Sequence, residues 1–138
     1  MHVDELLRNL PAAFGALLLS ILFIQSGLDK VFDWKGNIGW LTGHFEKTFM
    51  GGMVPMLLAT LTVLELAAGF LSAAGIIYFV VVGSAAVIFW ASVVAAATFC
   101  ALFFGQRLAK DYPGAAVLVP YFLLTLVIMF LTNPYTRA

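Results

Sequence analysis

The chain has 138 residues, of which 63% are hydrophobic and 10% are charged, and its formal net charge is zero. Soluble domains carry about 25% charged residues, so seven basic and seven acidic side chains are too few to cover a water-facing globule. The balanced charge also leaves no basic surface for nucleic acid. This composition excludes a soluble enzyme, a disordered linker and a nucleic-acid binder, and it indicates an integral membrane protein.

Clusters of charged residues divide the chain into long apolar segments. About 20 apolar residues cross a bilayer as a helix, which predicts an all-α bundle of four transmembrane helices in a single domain. The stretch from residue 53 to 105 is long enough for two spans, and we expect it to turn within Ser72–Gly75 because glycine permits a tight turn. The predicted spans are about 10–28, 53–73, 76–104 and 114–132.

The basic residues predict the orientation of the bundle. Five of them lie in the loops 29–52 and 105–113, whereas the terminal side carries Arg8 and Arg137. Because Lys and Arg are enriched in cytoplasmic loops, we expect both loops in the cytoplasm and both termini outside.

The connection between the first two spans contains a second pattern. From Trp34 onward, Ile38, Leu41, Phe45 and Phe49 recur at the spacing of one helix face. Tryptophan is favoured at the membrane surface, so the pattern predicts a short amphipathic helix lying in the interface. An irregular loop anchored by its aromatic residues is the alternative.

Few residues are suited to metal or redox chemistry. Cys100 is the single cysteine, which excludes an intrachain disulfide and a C-x-x-C redox pair. His2 and His44 lie outside the predicted spans, and no cluster has the ligand spacing of a zinc or iron site. We therefore predict neither a metal site nor an intrinsic redox cofactor.

Glu65 is the one acidic or basic residue inside the four predicted spans. It lies about 18 Å along the second span at 1.5 Å per residue, on a small and polar face with Thr62 and Ser72, so we expect it to point inward. It is a candidate catalytic residue as a proton or ligand site; alternatively, it is a protonated carboxyl that joins helices by hydrogen bonds. The predicted polar partners at its depth are Ser20, Trp90 or Ser92, and Tyr121 or Thr125.

A second group of polar residues lies where the first and third spans end. Gln25 and Asp29 are four positions apart and share a helix face. Basic residues from both span ends reach a similar membrane level, where they are able to hold an anionic lipid headgroup or flank a quinone head. Ordinary interfacial cations are the alternative. The candidate headgroup contacts are Gln25, Lys30, Arg107, Lys110 and Tyr112.

Three short segments together resemble the DoxX family. They are Gln25–Lys30 (QSGLDK), Leu64–Leu71 (LELAAGFL) and Gly105–Tyr112 (GQRLAKDY), the last followed by Tyr121. The resemblance extends from about residue 10 to 131. It implies a four-span bundle of bacterial or archaeal inner membranes, in a family whose founding members are small subunits associated with quinol oxidase or thiosulfate–quinone oxidoreductase systems.

These observations lead to a functional hypothesis. We expect a small subunit of a respiratory or photosynthetic redox complex that contributes packing and lipid or quinone contacts. Its partners are then membrane lipids and other integral membrane subunits. The alternative is a quinone-reactive oxidoreductase component with its site near Glu65 and Arg107. A small transporter is disfavoured because the chain lacks repeats and has few intramembrane polar groups.

Overall fold

The chain folds into helices joined by short connections. The computed structural model describes residues 2–45, 54–108 and 110–133, and these ranges contain no strand. Four helices are long and apolar enough to cross a membrane, which confirms the predicted all-α four-span fold and makes this a multi-pass membrane protein. In chain order the helices are α1 (His2–Arg8), α2 (Leu10–Phe32), α3 (Trp34–Phe45), α4 (Val54–Val82), α5 (Ala86–Leu108) and α6 (Tyr112–Thr132).

The four long helices form one packed bundle. Helix α2 packs on α4, α4 on α5 and α5 on α6, while α6 also touches α2 and closes the bundle. Aromatic rings fill part of the centre: Phe23 and Phe99 have ring centroids 4.8 Å apart. Large apolar side chains such as Phe14 and Phe130 are exposed on the outside, as is expected where lipid rather than water is the solvent.

Helices α2 and α4 approach each other closely because glycine lies between them. A Cβ atom on Gly69 would lie 2.9 Å from the backbone nitrogen of Ile24. On the facing helix, a Cβ atom on Gly27 would lie 2.5 Å from a methyl carbon of Leu66. Small residues at such positions allow two helix backbones to come together, and this seam positions the polar cluster described below.

The predicted turn within Ser72–Gly75 is wrong. Helix α4 continues for 29 residues to Val82, and the chain turns at Gly83, whose φ is 88°, a left-handed conformation that glycine adopts without a steric penalty. The Ser84 hydroxyl then accepts a hydrogen bond from the backbone N–H of Ala86. Gly75 has a packing role instead, since a Cβ atom there would lie 3.0 Å from the backbone nitrogen of Ile88.

The connection between the first two spans is partly helical, as predicted. Helix α2 ends at Phe32 rather than at residue 28, and α3 begins at Trp34. Ile38 is half-buried and Lys35 is exposed, in agreement with a two-sided helix. Phe49, the last residue of the predicted apolar face, lies outside the described residues.

The glycine seam leads to a stability prediction. Gly69→Ala should lower the free energy of unfolding by about 1–3 kcal/mol, because the added methyl group forces α2 and α4 apart. Gly39→Ala is the matched control, since no atom lies within 4 Å of its added Cβ, and it should be neutral or slightly stabilising. Denaturant unfolding in detergent micelles measures both, and equal effects of the two substitutions would contradict the packing role of Gly69.

Candidate functional site

The bundle contains a cluster in which the half-buried Ser26 and Lys30 meet the buried Glu65. The Lys30 Nζ lies 2.8 Å from Glu65 Oε1, and the two side chains are 18% and 3% exposed. The Ser26 hydroxyl donates to Glu65 Oε2 over 2.5 Å and accepts a hydrogen bond from Lys30 Nζ over 3.0 Å. The contact of Nζ with Oε1 is an ion pair without hydrogen-bond geometry, so Oε1 accepts no hydrogen bond from the described residues.

The direction of the helices explains why these side chains meet. Side chains on a helix lean toward its N-terminus. Lys30 lies near the C-terminal end of α2 and therefore leans into the bundle, where its ammonium reaches the Ser26 side chain one turn earlier. Glu65 leans toward the start of α4, which lies beside the end of α2. Two antiparallel helices thus direct an acid and a base toward each other.

The partners predicted for Glu65 are different from those observed. Ser92 donates its hydroxyl to the Phe89 carbonyl and Thr125 donates to the Tyr121 carbonyl, so both hydroxyls are satisfied within their own helices. The prediction assumed that the first span ends at residue 28. Ser26 lies inside that span but was not among the predicted partners, and Lys30 comes within reach of Glu65 because α2 continues to Phe32. The other predicted partners are placed elsewhere: Ser20 is buried, Trp90 is exposed, and the Tyr121 ring stacks on Phe99.

The cluster compensates its own charges. Moving an acid and a base out of water costs several kcal/mol per ion, and their attraction offsets this cost only when the geometry is good and further hydrogen bonds are made. Here Ser26 supplies those bonds to both charged groups. The spacing of Ser26 and Lys30, four residues apart on one helix face, is the sequence signal that would have identified the cluster.

A separate apolar cleft lies between α5 and α6. It has a volume of about 410 Å³, and Arg107 is the charged residue among those that line it. The Arg107 guanidinium lies 4.4 Å from the centroid of the Tyr112 ring, within the distance of a cation–π interaction. The remaining lining residues are Phe99, Cys100, Phe103, Phe104, Leu118, Val119 and Phe122.

The tight α5–α6 connection positions Arg107. The N–H of Lys110 bonds the Arg107 carbonyl and the N–H of Asp111 bonds the Gln106 carbonyl, a Schellman pattern that ends α5. Lys110 takes the left-handed position of this motif with φ 62°. The Asp111 carboxylate then caps α6 by accepting from the Gly114 N–H over 3.2 Å. This capped turn brings the ring of Tyr112 under the last turn of α5.

The predicted headgroup residues therefore occupy different places. Arg107 and Tyr112 lie together at the cleft, whereas Lys30 pairs with Glu65. Gln25 is exposed on the outer face of α2, and Lys110 is exposed at the turn. Among the described residues, no hydrogen bond or ion pair joins Gln25, Lys30 or Glu65 to Arg107, and no three His, Cys, Asp or Glu side chains are grouped to hold a metal ion.

Comparison with known proteins finds no family model, no curated protein and no solved structure that matches the chain. The membership in the DoxX family remains a prediction that rests on the three segments quoted above.

The ion pair leads to a prediction for a double-mutant cycle. Lys30→Met should lower the free energy of unfolding by about 3 kcal/mol, because it leaves a buried carboxylate without its counter-charge. Glu65→Leu should cost less, since the 18% exposed Lys30 side chain is able to turn toward water. The double variant should be about 2 kcal/mol more stable than the sum of the two single effects predicts, which is the coupling energy of the pair. Denaturant unfolding in micelles provides all four values, and additive effects would refute the pairing.

Proposed function

We propose that the protein is a small DoxX-like subunit of a respiratory or photosynthetic redox complex that holds an amphiphilic ligand in the α5–α6 cleft. The observation that carries the proposal is the combination of an apolar cleft with one fixed cation, Arg107, among its lining residues. An isoprenoid quinone and a phospholipid both have the matching chemistry, namely a long apolar chain and an oxygen-bearing head.

The cleft is suited to the apolar chain of such a ligand. Its volume of about 410 Å³ lies within the range of about 300–1,000 Å³ found for small-molecule sites. Four phenylalanine side chains, a leucine and a valine supply most of the lining. A chain of methylene or isoprene units would cover these side chains without leaving a polar group unsatisfied.

The head of the ligand belongs beside Arg107. A guanidinium presents five N–H donors and cannot lose its charge in proteins, so it binds either a quinone carbonyl or a lipid phosphate. Stacking on Tyr112 restricts the guanidinium in the free protein, which reduces the entropy lost when the head binds. In this proposal the ligand enters from the membrane, and the protein binds it through the residues of the cleft and Arg107.

The Ser26–Lys30–Glu65 cluster has a structural role in this proposal. Its acid and base neutralise each other and join α2 to α4. The alternative function, a quinone-reactive oxidoreductase component, requires Glu65 to act together with Arg107. No geometric observation among the described residues favours that arrangement, and we do not propose it.

The proposal predicts the ligand content of purified variants. Arg107→Gln should weaken binding of the head about tenfold or more, because a hydrogen bond to a charged group contributes about 1.5–3 kcal/mol. Cys100→Phe should displace the chain by filling the cleft. Lys35→Gln, which removes an exposed cation on α3, is the matched control and should keep the full ligand content. Extraction and mass spectrometry of protein purified from native membranes measure quinone and phospholipid per chain.

The two ligand sources are distinguished by adding a short-chain quinone or phosphatidylglycerol to delipidated protein. Saturable binding of one of them that is weakened by Arg107→Gln identifies the source. Ligand content that is equal in the wild type, Arg107→Gln and Cys100→Phe would contradict the proposal.

A further inference from the structure

The outer face of α2 carries two polar side chains that the bundle does not satisfy. Gln25 and Asp29 are both exposed. Within the part of the chain that the structure describes, neither side chain has a hydrogen-bond or ion-pair partner. The neighbouring Ser26 and Lys30, by contrast, face inward and are paired with Glu65. One helix therefore has an inner polar face that is satisfied and an outer one that is not.

The position of Gln25 makes this exposure costly in a membrane. It lies seven residues before Phe32, the end of α2, which is about 10 Å along the helix axis at 1.5 Å per residue, within a helix long and apolar enough to cross a membrane. Its side chain leans further inward, toward the N-terminus of the helix. An amide facing hydrocarbon without a partner costs several kcal/mol, and polar residues at such depth almost always face protein or water.

The surroundings of Gln25 have the shape of a helix-packing surface. The two polar residues lie in a shallow, wide-open groove, and all of its described lining residues belong to α2. Among the described residues the groove has one wall, the surface of α2, and a second helix lying along it would supply the other. The lining residues form two adjacent rows in which each member follows the last by four positions, and ridges of this kind pack against other helices. Besides Gln25 and Asp29 they are Ser20, Ile21, Ile24, Leu28 and Phe32.

We propose that this groove is the docking site for a transmembrane helix of a different subunit, and we call it the α2 groove. This inference rests on the proposed function in one respect, namely that the chain is part of a larger membrane complex. The expected partner helix carries a Lys or Arg level with Asp29. About one turn deeper it carries an amide or hydroxyl that pairs with Gln25.

Charge complementarity distinguishes this partner from a second copy of the chain. In a two-fold dimer that packs α2 against α2, equal residues face each other. Gln25 would pair well with itself, since an amide is both donor and acceptor. Asp29 would face Asp29, however, and like charges in contact are unfavourable, more strongly so near a low-dielectric membrane. A cationic partner removes this conflict and satisfies both side chains.

Site-specific photo-crosslinking of the full chain in its native membrane tests the α2 groove. Benzoylphenylalanine replaces Ile21 or Leu28 in the groove and, as matched controls, Val63 or Ile77, which are exposed on α4. The groove positions should yield an adduct with one transmembrane chain, whose cross-linked peptide contains a Lys or Arg. The α4 positions should yield lipid adducts alone.

Three substitutions test the chemistry of the contact. Asp29→Asn should reduce the adduct about tenfold or more, because truncating one side of a buried charge pair leaves the other charge without a partner. Asp29→Lys should abolish the adduct, and an acidic residue in place of the partner's cation should restore it. Gln25→Leu should also weaken the adduct without changing thermal unfolding of the purified chain, since Gln25 has no partner within the described bundle.

Three outcomes would overturn the inference: adducts with a second copy of this chain, lipid adducts alone at positions 21 and 28, or the same protein adduct from the α4 positions. Ligand content in the α5–α6 cleft is measured on the same preparations. Loss of the adduct with the cleft ligand retained refutes the α2 groove alone. A groove adduct without any cleft ligand refutes the proposed ligand alone.

Discussion

The ion pair between Lys30 and Glu65 is the interaction on which the arrangement of the bundle depends. A carboxylate that is 3% exposed in a membrane helix is tolerated only when an opposite charge accompanies it. That requirement fixes the register of α2 against α4, because the lysine reaches the acid from only a few positions. It also accounts for the length of α2, which continues past Asp29 and Lys30 to Phe32 since the lysine is neutralised inside the bundle. The glycine contacts at Gly27 and Gly69 then bring the two backbones close enough for the pair to form.

The charge-paired seam between α2 and α4 is distinct from two other surfaces with different chemistry. On one side of the molecule, α5 and α6 leave an apolar cleft with a fixed guanidinium. On the outer face of α2, Gln25 and Asp29 are exposed without partners in the described chain. Both surfaces are formed without Glu65, so neither of them requires the buried acid to change its partner. In the proposed account the ion pair stabilises the fold, the cleft binds an amphiphile, and the α2 groove binds a neighbouring subunit.

The sequence predicted the number and type of the spans because charge placement determines which segments can enter hydrocarbon. The predicted position of the turn between α4 and α5 was wrong, because Gly75 and Gly83 are both turn candidates by composition. Only tertiary packing distinguishes them: Gly75 lies against the backbone of Ile88, whereas Gly83 adopts a positive φ. The pairing of Glu65 was missed because it depends on the relative register of two helices and on the lean of their side chains. The contact of Arg107 with Tyr112 was easier to predict from the sequence, because a short connection brings these two sequence neighbours together.

Solid-state NMR in lipid bilayers tests the central claim, that Lys30 and Glu65 are paired inside the membrane, most directly. The chain has four lysines and three glutamates, so ¹⁵N-lysine and ¹³C-glutamate labelling gives few signals, and Lys30→Met assigns the relevant one. The account predicts a strong dipolar coupling between one lysine Nζ and one carboxylate carbon, as the 2.8 Å contact of Nζ with Oε1 requires, and its loss in Lys30→Met. A Lys30 ammonium that exchanges freely with water and shows no coupling to Glu65 would contradict it.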